Sequence, residues 1–214
     1  FKQKTAYEML RSLVGSEMCI RDRYFPSDIQ LILKLNKQNT SNWIKNYYEA
    51  LDLKIGRQRA INFYMLIELY VINKLLKFMS HNQIKEQYKL LSKSTPYPFA
   101  RKDLNLFNRK LYIQNNNEYE SADGNYGIND IIKEFSLKIS YSSDNLSEEF
   151  YPLTKESPIV VNPRIQAGQP VIKGTRIPVE NIYEMLKSNE SIENICFYYQ
   201  IQPEMVEEVR KFYN

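Results

Sequence analysis

The chain has 214 residues, 43% of them hydrophobic, and a formal net charge of +4, enough for one or two small globular domains. Its most apolar stretch, Ile61 to Met79, is interrupted by Glu68, Asn73 and Lys74, which argues against a membrane span. The sequence shows no Ser-His-Asp set, no phosphate-cradling glycine loop and no metal-ligand spacing, so neither an enzyme nor a cofactor is expected.

Residues 1–23 stand apart. FKQKTAYEM and SLVGSEMCIRDR resemble a translated sequencing-library adapter and are set aside from the fold reading. Cys19 goes with them, and Cys196 remains as a lone thiol on the inner face of a predicted helix, where it reads as a small hydrophobe. A cytoplasmic location is expected.

Pro26-Ser27 opens a short helix through Leu35, with Ile29, Ile32 and Leu33 inward. The turn Asn36-Lys37-Gln38 follows. Asn39 or Thr40 can cap a second helix, Ser41 to about Ala50, with Trp43, Ile44 and Tyr47 inward and Asn42, Lys45, Asn46 and Glu49 outward. Helix, short turn, helix with outward Asn and Lys is the layout of a helix-turn-helix, and those side chains can bond base edges or phosphates. Two amphipathic helices of a plain helical domain would share the pattern.

Lys54 to Arg59, KIGRQR, is either the tip of a wing against the DNA backbone or a solvated loop. Ile61 to Met79 is expected as the core helix. Ser80 with Gln83 forms a capping box for a helix burying Ile84, Tyr88 and Leu91. His81, the only histidine, is expected to be solvated in its first turn. LNLFNRKLYI, Leu104 to Ile113, predicts a hairpin turning near Asn108-Arg109. Asn115 to Asn125 is polar, Ile128 to Phe135 reads as amphipathic helix, and Lys138 to Leu153 is a hairpin or an extended linker.

The stretch PIVVNPRIQAGQPVIKGTRIP, Pro158 to Pro178, predicts two short strands, Ile159–Val161 and Val171–Ile172, joined by turns and closed by Gly174. Pro178 then opens a helix with Val179, Ile182, Tyr183 and Leu186 on one face. Ser191 caps a second helix burying Ile192, Ile195, Cys196 and Tyr199, and Pro203 opens a third, with Met205, Val206, Val209, Phe212 and Tyr213 inward.

These residues resemble the family called domain of unknown function 433. Asn162-Pro163, Gly168, Pro170, Gly174-Thr175-Arg176-Ile177-Pro178, Ser191-Ile192-Glu193, Ile195, Pro203-Glu204 and Val206 fit its pattern, from Ile159 to Tyr213. The resemblance implies an antitoxin of the VapB kind, encoded beside a PIN-like ribonuclease toxin. WIKNYYEALDL, INFYMLIELYVINKLL and HNQIKEQYKLL look like the MerR-like N-terminal region of that class, although Tyr47 to Ala60 is short for a full wing. The fold class implied is mainly α with short β-hairpins. It comprises a MerR-like winged helix-turn-helix domain over 24–139, a linker or hairpin over 140–157 and a hairpin plus three-helix module over 158–214.

Charge is unevenly spread. Tyr24 to Gln114 carries fifteen Lys and Arg against six Asp and Glu, whereas Pro158 to Asn214 carries six against seven. A basic first half suits phosphate contact, and a solvated basic surface would look the same. The expectation is operator DNA contacted by Asn42, Lys45, Asn46, Arg57 and Arg59, with a PIN-like toxin protein held through Arg176, Glu204, Glu207 and Glu208. Gly174-Thr175-Arg176 reads first as hairpin structure and second as contact. The glutamates are either ordinary solvated helix faces or an acidic face for a ribonuclease cleft. A homodimer is possible. A protein-interaction module without DNA binding and a stand-alone transcriptional regulator are the alternatives.

Overall fold

A computed structural model of the chain describes residues 23–48, 54–55, 58–107, 110–113 and 134–214. Helix α1, Pro26–Leu33, starts on a proline that needs no amide partner, while the Phe25 N–H donates to Asp28 Oδ2 at 2.8 Å. It buries Ile29, Ile32 and Leu33 and stops at Lys34, whose φ of 52° is left-handed. Helix α2 spans Lys37–Tyr48. It begins four residues before the expected Ser41, because Asn36 Oδ1 takes the Asn39 N–H at 2.7 Å and the Thr40 hydroxyl bonds back to the Asn36 carbonyl at 2.9 Å. The first helix ends at Leu33 and not at the expected Leu35, so the connecting turn is Lys34 to Asn36 in place of Asn36 to Gln38.

Strands β1, Lys54–Ile55, and β2, Gln58–Arg59, pair antiparallel, with Lys54 opposite Arg59. Tyr24 bridges Ile61 through two backbone bonds of 2.8 and 3.0 Å, so Ile61 lies before the core helix rather than in it. That helix, α3, is Phe63–Leu75; Asn62 caps it by accepting the Met65 N–H at 3.0 Å. Its residues are buried on almost every side, from Phe63 to Leu75, which makes it the central element of this half. Helix α4, His81–Leu91, has the expected Ser80–Gln83 capping box. A 3₁₀ turn at Pro98–Ala100 packs on α3, and β3, Leu104–Phe107, pairs antiparallel with β4, Lys110–Ile113.

The stretch expected as a hairpin or linker is a hairpin. Its strands β5, Ile139–Tyr141, and β6, Ser147–Phe150, join β7, Ile159–Val161, and β8, Pro170–Ile172, in one antiparallel sheet of order β5-β6-β7-β8. Helices α5, Val179–Lys187, α6, Ile192–Tyr199, and α7, Pro203–Tyr213, pack on one another and α5 on β8. Ser191 caps α6 by accepting the Asn194 N–H at 3.2 Å, and Pro203 occupies the first turn of α7. Asn189 and Gln200, at φ of 59° and 53°, reverse the chain after α5 and α6.

Both halves contribute to one apolar cluster that runs from Tyr24 to Phe212. Direct links cross it. The Tyr24 hydroxyl donates to the Gly168 carbonyl at 2.9 Å, the rings of Tyr70 and Phe150 lie 4.9 Å apart, and Lys34 donates its ammonium to the Phe212 carbonyl. The described chain is thus about half helical rather than mainly so, with two antiparallel hairpins and one four-stranded antiparallel sheet. Among the described residues no helix is long and apolar enough to cross a membrane.

Candidate functional site

Helix α2 sorts its side chains by the helical period. Thr40, Trp43, Ile44 and Tyr48 are buried, so Asn42, Lys45 and Asn46, three and four residues apart, form an exposed polar stripe. A three-residue turn, Lys34 to Asn36, joins α1 to α2. Arg59 is half-exposed on β2, a separate element. Arg57 lies outside the described residues.

An aromatic and carboxylate network holds α2 in place from behind. Glu68 on α3 is fully buried; its Oε2 accepts the Tyr48 hydroxyl at 2.7 Å and the Tyr88 hydroxyl at 3.1 Å, and its Oε1 accepts the Phe99 N–H at 3.2 Å. Burial pushes its carboxyl up to about 7, against these three hydrogen bonds, which favour the charged form. The network therefore joins α2, α3, α4 and the Pro98–Ala100 turn at one acid. His81 departs from its expected solvated position. Its Nδ1 shares a 3.0 Å hydrogen bond with the Tyr47 hydroxyl, its ring stacks on Tyr47 at 5.6 Å, and Trp43 meets its edge at 6.3 Å. The buried Trp43 and the half-buried Tyr47 on α2 give the imidazole aromatic surface to pack on.

The terminal hairpin is built by its own side chains. Gly174 has a φ of +78°, and the Thr175 hydroxyl donates to the Ile172 carbonyl at 2.8 Å while accepting the Ile177 N–H at 3.1 Å. Arg176 is exposed, and its carbonyl accepts from Gln166 at 2.9 Å, so its guanidinium is left to solvent by a tied backbone. On α7, Glu204 is exposed. Glu207 and Glu208 are half-buried and ion-paired within the helix, to Arg210 at 3.0 Å and Lys211 at 2.6 Å. The expected partner residues thus divide between an exposed hairpin arginine and a helix whose acids are largely self-neutralised.

Residues 159–213 match the family model described as "Protein of unknown function (DUF433)". No curated protein sequence matches the chain. Among solved structures, the chain is similar to the X-ray crystal structure of Rv2018 from Mycobacterium tuberculosis, with a TM-score of 0.65 at 16% identity. The similarity covers 87% of this chain and 96% of that one, so the shared fold extends well beyond the DUF433 segment.

Within the DUF433 segment the sequence reading passed over two exposed aromatics. Phe197 is 85% exposed and Tyr198 77%, on α6. The signal was present: once Ile192, Ile195, Cys196 and Tyr199 take the inner face, Phe197 and Tyr198 fall off it. Buried Glu68 was likewise visible only as an interruption of an apolar run, with nothing nearby in sequence to name its tyrosine partners.

Proposed function

We propose that this protein is an antitoxin-like regulator whose α1–α2 pair, of the MerR-like helix-turn-helix kind, contacts operator DNA and whose DUF433 segment holds a PIN-like ribonuclease. The observation that carries the reading is the exposed stripe Asn42, Lys45, Asn46 on α2, presented after a three-residue turn and backed by a rigid buried network. Amides on such a helix suit base edges in a major groove, and Lys45 suits phosphate or guanine. The surplus of nine positive charges between Tyr24 and Gln114 supports the same assignment, with Arg59, and Arg57 beside it in sequence, near the DNA backbone.

The test is fluorescence anisotropy of the intact chain with duplex DNA from upstream of its own reading frame, against an unrelated duplex. The upstream duplex is expected to bind more tightly. Asn42→Ala with Asn46→Ala should narrow that preference by about 1–3 kcal/mol per lost base contact. Equal affinity for the two duplexes, or none, contradicts the DNA reading. Failure of a co-expressed neighbouring PIN-like protein to co-purify contradicts the partner reading separately.

A further inference from the structure

Helix α6 carries two neighbouring rings that the described fold does not cover. Phe197 and Tyr198 are 85% and 77% exposed, while Ile195 on the same helix is fully buried. Burying large apolar side chains is favourable, so adjacent uncovered rings on a well-packed module point to an external contact. Cys196, Phe197, Tyr198 and Gln200 line one open hollow of ≈ 480 Å³.

Charge selects the occupant. From Ser188 to Val209 the chain has five glutamates, Glu190, Glu193, Glu204, Glu207 and Glu208, and no Lys, Arg or His. Glu207 and Glu208 are paired to Arg210 and Lys211, whereas Glu193 and Glu204 are exposed and have no ion-pair partner among the described residues. They lie close enough to Cys196 that, after burial itself, their negative charge pushes its thiol up. A second copy would set acid against acid at this face. Residues 114–133 of the same chain bring Glu118, Glu120, Asp123 and Asp130 against Lys133 alone, and fit no better.

We infer that the Phe197–Tyr198 face of α6 docks a basic amphipathic segment of a different protein, its apolar side chains on the two rings and its Lys or Arg beside Glu193 and Glu204. The inference rests on the reading that the DUF433 segment holds a protein partner. It places the contact on α6 instead of on the self-paired acids of α7. Apolar rings supply the affinity, and the carboxylates supply the choice of charge.

The experiment titrates the intact chain calorimetrically with a synthetic helical peptide, leucine at i, i+3, i+4 and i+7 and lysine elsewhere, and with its glutamate-for-lysine counterpart. The lysine peptide is expected to bind and the glutamate peptide not. Phe197→Ser with Tyr198→Ser should weaken binding at least about tenfold. Glu193→Gln with Glu204→Gln should weaken it severalfold and flatten its salt dependence. Both pairs are on the surface, and unchanged circular dichroism verifies that the fold is kept. Binding by the parent chain that survives the aromatic pair of substitutions overturns the site alone. Absence of peptide binding by the parent chain overturns this inference together with the partner reading. Sedimentation showing a dimer that the aromatic substitutions dissolve would assign the face to a second copy and overturn the inference as well.

Discussion

Around α3 the interior holds a carboxylic acid and two tyrosine hydroxyls, Glu68 with Tyr48 and Tyr88, and Asn62 beside them donating to the Tyr97 hydroxyl at 2.7 Å. Between the β7–β8 hairpin and its three helices the contacts are Ile159, Val161, Ile172, Val179, Ile182, Ile195, Val206, Val209 and Phe212, all aliphatic or aromatic hydrocarbon. The first region adds directional bonds between residues twenty or more positions apart to its apolar packing, whereas the second relies on shape and area. A hydrocarbon core tolerates pH and is set by local periodicity. A polar core is sensitive to protonation and to the loss of any one member.

The sharpest way to break that contrast is at Trp43. It is 5% exposed and packs on the edge of His81, so Trp43→Ala should cost roughly 3–5 kcal/mol. Denaturant unfolding measures it, and a loss under about 1 kcal/mol would mean that the rear of α2 is not packed as described.

Next comes Glu68. Its carboxyl sits near pH 7 in the fold, above the ordinary 4.5, so the folded state favours the proton. Stability from this group is complete below pH about 4.5 and is lost as pH rises through about 7. The full swing is about 3 kcal/mol at 1.36 kcal/mol per pK unit. Glu68→Gln keeps the shape, and the tyrosine hydroxyls can turn to accept from its amide; the variant should unfold with a flatter dependence across that range. A pH dependence identical to that of the parent chain would remove Glu68 as its source.

The smallest effect belongs to the other core. Gly174 has a φ of +78° but open space around its missing Cβ, so Gly174→Ala meets only backbone strain, about 1 kcal/mol, and that cost should not vary with pH. A cost that changes between acid and neutral pH would undo the distinction between the two interiors.

The same distinction explains what was legible in the sequence. The DUF433 segment could be read nearly whole because its structure is local. Turn residues, the Ser191 cap, the Pro203 start and the faces Ile182, Ile195 and Val206 all act within a few positions. Helices α1 and α2 were legible as amphipathic faces, and the exposed Asn42, Lys45 and Asn46 follow from the buried Trp43 and Ile44. The start of α2 was not, because Asn36 competes with Asn39 and Thr40 as a cap and only the folded turn decides. The His81–Tyr47 contact, the partners of Glu68, and the pairing of Phe150 with Val161 join elements that no periodicity connects. At the candidate partner surface, helical phase placed Phe197 and Tyr198 outside, but their charge setting became clear only with Glu193 and Glu204 seen near Cys196.

Division of labour between the two regions is the central claim, and the salt dependence of DNA binding by the intact chain tests it most directly. Lys45→Ala should weaken binding and reduce the slope of log affinity against log salt by about one unit, as for one lost phosphate contact. Phe197→Ser with Tyr198→Ser should leave both affinity and slope as they are in the parent chain. A slope untouched by Lys45→Ala, or one that falls with the aromatic pair, would contradict the assignment of DNA to α2.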